Sequence, residues 1–214
     1  MRAENRQSLP QDLTKATKFP RTTRREQRIE HVLARRQPDL TVILENVHDP
    51  HNIGAVLRSC DAVGILRIHT IYTVEVLPER AYSRRASGGT RKWIEVVHHD
   101  SVDACFSAVR AEGMQIFATA LSERAVDLYQ ADLAAPAALL FGNEQRGVSD
   151  ESLEQADGHL VIPMQGMVES LNISVACAVT LFEAQRQRQS AGLYDTPRLD
   201  ESTRATMLQD WLEK

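Results

Sequence analysis

Several common signatures of enzymes are missing from this chain of 214 residues. No GxGxxG follows the first strand-like run and no GxxxxGK[ST] occurs, which removes the dinucleotide fingerprint and the P-loop. A GxSxG nucleophile elbow is absent too. Cysteine is scarce: Cys60, Cys105 and Cys177 are far apart, with neither CxxC nor mixed Cys/His ligand spacing. An odd count without a close pair predicts reduced thiols in a cytoplasmic protein and no metal centre. The longest apolar stretches, around Ala134–Phe141 and Leu171–Phe182, are too short or too interrupted to span a bilayer. The N-terminal segment is polar and basic, without the apolar core of a secretory signal.

What is present is an ordinary globular composition, 43% apolar and 25% charged, enough for one α/β domain with appended helices. The net charge of −4 is unevenly spread. Residues 1–40 hold ten Arg and Lys against five acids, a balance of +5 that leaves −9 for the remainder. Such asymmetry predicts a basic arm on a neutral-to-acidic body. Residues 1–20, broken by Pro10 and Pro20, read as a disordered basic tail. Residues 21–36 turn helical, with Arg21, Arg24, Arg25 and Arg28 recurring on one face.

Strands are predicted at 41–45, 66–73, 92–98, 115–120, 137–141 and 159–162, and helices at 52–64, 101–112, 149–156, 172–188 and 199–212. Their alternation predicts an α/β class with a mostly parallel sheet. The connection 74–92 carries Arg80, Arg84, Arg85, Gly88, Gly89 and Arg91, and reads as a mobile loop. The domain plan is a tail (1–20), a helical extension (21–40), a catalytic domain (41–190) and a C-terminal helical extension (191–214).

Three polar segments stand where strands give way to helices: 46–58, 140–147 and 162–176. In open α/β sheets, ligands bind in such loops. They bring forward Asn52, Arg58, Glu144, Ser170 and Asn172. Asn52 either caps the helix it begins or touches a ligand. Arg58, on an otherwise apolar helix, needs an anion: an internal acid such as Glu144 or a substrate phosphate. His48 and His51 form an HxxH with no companion ligand pattern, which favours loop hydrogen bonding over zinc.

Taken in order, these segments resemble the three motifs of the SPOUT superfamily of RNA methyltransferases, in its TrmH (SpoU) branch. The runs Leu33–Val42 and Glu183–Gln189 resemble the tRNA (guanosine-18 2′-O)-methyltransferases within that branch, and the similarity covers roughly Arg24 to Tyr194. The resemblance implies a C-terminal trefoil knot, S-adenosylmethionine as methyl donor, a homodimer and a tRNA substrate. It implies catalytic roles for Arg58, Asn52, Glu144, Ser170 and Asn172. Cofactor contacts fall on Thr119, Phe141, Gly142, Glu144, Ile162, Met167 and Leu171. RNA contacts fall on Arg28, Arg186, Arg188 and Arg198, with the loop arginines Arg84 and Arg85 as further phosphate contacts. Methylation of ribosomal RNA or of another tRNA position is the alternative within the class. A non-catalytic RNA-binding role is a further one, disfavoured because phosphate binding alone does not need this polar set.

Overall fold

The computed structural model describes residues 21–78, 82 and 89–214. The expected disordered tail and the predicted RNA contacts Arg84 and Arg85 lie outside the described residues.

Seven parallel strands form the sheet: β1 Leu40–Glu45, β2 Arg67–Ile71, β3 Glu95–His99, β4 Gln115–Thr119, β5 Ala125–Asp127, β6 Ala137–Phe141 and β7 Gly158–Val161. Their order is β3-β2-β1-β6-β4-β7-β5. The continuous apolar runs of β1 and β6 take the third and fourth of the seven places and are buried along their whole length, as strands covered on both faces must be. β5 escapes sequence reading because Ala-Val-Asp is too short and too exposed to show a pattern. β3 starts at Glu95, three residues later than expected, because Thr90–Lys92 winds into a 3₁₀ turn.

Helices cover both faces: α1 Arg21–Leu33, α2 Pro50–Val63, α3 Val102–Ala111, α4 Asp150–Gln155, α5 Ile173–Ser190 and α6 Glu201–Glu213. α2 and α5 share one core with the sheet, through Ile53, Leu57, Cys60, Cys177 and Leu181. α3 builds the other, through Val102, Cys105, Phe106 and Val109, with Leu153 of α4 packed against it. The chain therefore leaves β1 toward one face and the adjacent β6 toward the other. Diverging connections from neighbouring parallel strands open a crevice at their carboxyl ends. No helix among the described residues is long and apolar enough to cross a membrane.

α1 and α6 pack together over Ile29, Leu33 and Trp211. Arg25 donates to the carbonyls of Leu212 at 2.7 Å and Trp211 at 3.1 Å, placing a cation at the negative end of α6. That commits its guanidinium to α6, although Arg25 is exposed, as Arg24 and Arg28 are. Arg36 is enclosed, bonded to the Ile65 carbonyl at 2.8 Å and Asp61 at 2.6 Å, with Trp211 stacked 5.0 Å away. Beside it, Gly64 takes φ 93°, and a Cβ there would lie 2.7 Å from the Arg35 carbonyl oxygen. Only glycine fits that helix end.

One RNA-contact expectation is overturned here. Arg188 is fully buried and donates five hydrogen bonds: to the carbonyls of Leu133, Asp39 and Ala135, to Gln37 Oε1 and to Asp39 Oδ1. It ties α5 to the start of β1 and has no donor left for a phosphate. Two residues away and on the opposite side of α5, Arg186 is 63% exposed and pairs with Glu183 three residues back.

Candidate active site

α2 starts two residues earlier than expected, at Pro50, because Asp49 accepts the His51 amide at 2.9 Å and proline occupies the first turn. Asn52 is therefore not the cap. Its buried side chain turns inward and donates to Glu144 Oε1 at 3.0 Å. Its Oδ1 accepts from Asn172 Nδ2 at 3.1 Å. Asn172 caps α5, its own Oδ1 receiving the Ser174 amide at 2.9 Å. A continuous chain Glu144–Asn52–Asn172 thus joins the loops after β6, β1 and β7.

Asn46 and Asn143 build the frame of this site, and neither was singled out from the sequence. Asn46 sits at φ 54°, a left-handed conformation that asparagine tolerates. Its Oδ1 receives three successive amides, Thr73, Val74 and Glu75, each at 3.1 Å. Asn143 Nδ2 donates to the Asn46 carbonyl at 2.8 Å, and its Oδ1 receives the amides of Gln145 and Arg146. Glu75 closes the frame by pairing with Arg146, which holds its carboxyl below the usual range. The usable signal was an asparagine one or two residues beyond each of these apolar strands.

The loop after β6 requires glycine at 142, since a Cβ there would lie 2.0 Å from the Gly147 backbone. The Phe141 side chain is packed in the core, so only its backbone faces the loop. Thr119 Oγ1 donates to the Leu140 carbonyl at 2.9 Å, fastening the β4 end to β6. Ile162 and Leu171 are half-buried, whereas Met167 is 99% exposed and Val168 and Leu121 are exposed as well. Burial pushes the Tyr72 phenol up to about 12, so at neutral pH it is a neutral donor to the Val47 carbonyl.

Two predicted groups stand apart from the chain. Arg58 is exposed on the outer flank of α2, with no hydrogen bond or ion pair among the described residues. Six residues are one and two-thirds turns, which puts it roughly 120° around the helix from Asn52. Glu144 is therefore not its partner within one chain; of the two expected anions, only an external one fits. Ser170 is exposed and joins no hydrogen bond among the described residues. Of the remaining RNA candidates, Arg28 is exposed and Arg198 is half-buried against Asp39 at 2.9 Å.

Among the described residues one cluster combines metal-ligand types: His69, His99 and Cys105, with ligand atoms within 4.8 Å of one another. It lies under α3, and the two imidazoles already face each other at 3.0 Å. Three separate elements contribute, so no sequence spacing announces it.

Residues 39–182 match the model of the SpoU rRNA Methylase family. The tRNA (guanosine(18)-2′-O)-methyltransferase of Thermus thermophilus is 52% identical over 194 residues, which is 91% of this chain and 98% of that protein. The solved A. aeolicus TrmH/SpoU tRNA modifying enzyme superposes with a TM-score of 0.79 at 37% identity, covering 90% of this chain and 96% of that one. The SpoU methyltransferase AviRb from Streptomyces viridochromogenes, solved with AdoMet, superposes with a TM-score of 0.63 at 28% identity, over 72% of this chain and 62% of its own. With two-thirds of its length under the family model and a half-identical relative matched almost end to end, the chain belongs to the SpoU rRNA Methylase family.

Proposed function

We propose that this chain is a cytoplasmic tRNA 2′-O-methyltransferase that takes S-adenosylmethionine as donor and acts on the ribose of guanosine 18. The observation that carries the reading is the Glu144–Asn52–Asn172 chain at the mouth of the β1/β6 crevice, in a fold whose Thermus relative bears that activity in its name. The proposal includes the C-terminal trefoil knot and a chemistry without a metal ion.

The loops suit the donor. Leu121, Ile162, Met167 and Val168 offer apolar side chains for an adenosine face, and the tight backbone turn at Gly142–Gly147 offers amides and carbonyls to its polar edges. The donor supplies an electrophilic methyl group on a sulfonium. Thr119, Gly142, Glu144 and Leu171 would line its seat, with only the backbone of Phe141 taking part. Asn52 and Asn172, each already fixed through its neighbour, would hold the ribose so that its 2′-oxygen faces the methyl carbon.

Arg58 takes its place through a second copy of the chain. Val175 and Phe182 lie seven residues apart on one face of α5, both about half exposed. Alongside them α2 presents Ala55 and Arg58 outward. A homodimer formed over this stripe would bury the apolar groups and carry each Arg58 toward the partner's loops. There the guanidinium grips a phosphate next to the target ribose. It does not act as a free base, because neutralising an arginine at pH 7 costs about 7 kcal/mol. Arg58→Lys keeps charge but loses the planar fork, and near-complete activity in that variant would refute the gripping role. Arg28, Arg186 and Arg198 would hold the tRNA backbone.

Transfer of labelled methyl from S-adenosylmethionine to total tRNA and to rRNA, followed by mapping of the labelled nucleotide, tests the proposal. Label on the ribose of guanosine 18 is expected. Label confined to rRNA or to a base nitrogen refutes it.

A further inference from the structure

Glu45, the last residue of β1, is 1% exposed, and no cation pairs with it among the described residues. Three donors converge on its carboxylate. The Ser149 amide reaches Oε2 at 3.0 Å, and the hydroxyls of Ser149 and Ser152 reach Oε1 at 2.5 and 3.1 Å. All three belong to the start of α4, where Ser149 is the cap. A dry carboxylate without a counter-ion is a poor way to stabilise a core, because an apolar side chain of similar size costs less to bury. Its place beside the β6 loop gives a better reason for it.

That loop leaves β6 at Gly142 and reaches α4 at Ser149. Asn143 and Gly147 exchange two backbone hydrogen bonds, of 2.9 and 2.8 Å, which close residues 144–146 into an arch. The outgoing foot of the arch is tied to Asn46, whose carbonyl receives Asn143 Nδ2 at 2.8 Å. The returning foot is tied to Glu45 through Ser149, with the single buried residue Val148 between Gly147 and that anchor. Consecutive residues at one strand end therefore hold both feet. Glu144 stands on the arch between them, its Oε1 receiving Asn52. We infer that Glu45 is a positioning residue for methyl transfer: through Ser149 it fixes the returning foot of the β6 loop and so sets where Glu144 meets Asn52 and the donor. The inference rests on the function proposed above and deepens it. Misplacing a reacting group by about 1 Å costs up to ~10²-fold in rate, so a loosened foot is enough to be felt at the methyl carbon.

Reach, not charge, is what this role demands, and two variants separate them. Glu45→Asp keeps the carboxylate but draws it back by about one carbon–carbon bond, ~1.5 Å, away from the Ser149 amide and hydroxyl. Glu45→Gln keeps the reach: its oxygen accepts the Ser149 amide, and the two serine hydroxyls turn to receive its NH₂ group. Well below the unfolding temperature, Glu45→Asp is expected to lose roughly tenfold or more in kcat/KM, with weaker S-adenosylmethionine binding in calorimetry, while Glu45→Gln recovers to within about threefold of the parent. Hydrogen exchange at the Asn143, Gly147 and Ser149 amides should quicken in Glu45→Asp, with the interior of β6 at the parental rate. A purely structural role would lower the unfolding temperature and leave donor binding and loop exchange in place. Parental donor binding and turnover in Glu45→Asp, unchanged exchange in the loop, or equal losses in both variants overturn the inference. Should Glu45→Asp fail to fold, Ser149→Ala removes one of the three donors, and parental loop exchange in that variant overturns it as well. Failure of the proposed function reads differently: the parent protein itself then leaves tRNA ribose unlabelled.

Discussion

Arg188→Gln separates the enclosed arginine from the exposed one on the same helix. Arg188 donates five hydrogen bonds with its guanidinium fully buried, and the ion pair with Asp39 is 2.7 Å long. A glutamine amide has two donor hydrogens, so at least three of those five bonds are lost. Each dry acceptor left behind costs about 1–3 kcal/mol. Asp39 keeps a second cation in Arg198 at 2.9 Å, so its carboxylate is not abandoned. The total is about 3–5 kcal/mol, the range for breaking a buried charge pair. Urea unfolding followed by circular dichroism should show that loss as a lower midpoint with an unchanged slope. Arg186→Gln should leave the midpoint alone and instead flatten the salt dependence of tRNA affinity by roughly 0.7–0.9 in log–log slope for each phosphate no longer neutralised. An Arg188→Gln protein that unfolds at the parental urea concentration, yet binds tRNA with a flatter salt slope, would refute the reasoning.

Asn52→Ala removes two hydrogen bonds worth about 1 kcal/mol each to the folded state, so stability should fall by about 2 kcal/mol, and kcat/KM should fall by roughly tenfold or more as the site loses its alignment. Asn172→Ala should lose activity similarly and also about 1 kcal/mol of stability, because the cap on α5 goes with it. Phe182→Asp places a charge in the exposed stripe of α5 and should yield monomers by sedimentation with little activity; an active monomer would sink the dimer proposal. Burial, then the neighbouring His99, holds the His69 imidazole down to about 4, against an ordinary value near 6.5. The unfolded chain then binds the extra proton between those values, so stability should fall as pH drops from about 6.5 to about 4, by at most on the order of 3 kcal/mol. The lowered His98 and His99 act with the same sign. His69→Gln should flatten that slope in acid unfolding curves.

The fold could be read from the chain where a local pattern carried the information. β6 is apolar throughout and takes a central place; Ser101 and Asn172 cap the helices they precede. The three site loops were visible because glycine, proline and asparagine cannot belong to the strands they follow. What sequence could not supply was direction. Asn52 and Arg58 share a helix, and only the packing of α2 against α5 decides that one faces Glu144 and the other faces away. Arg186 and Arg188 look alike in sequence, two basic residues in a polar run. Two residues along a helix are about 200° apart, so one must face inward if the other faces out. The inward one meets three carbonyls and Asp39 where α5 crosses the start of β1, and its partners Asp39 and Gln37 lie 149 and 151 residues away in sequence. Charge thus predicts a nucleic-acid contact only after the helix face is known.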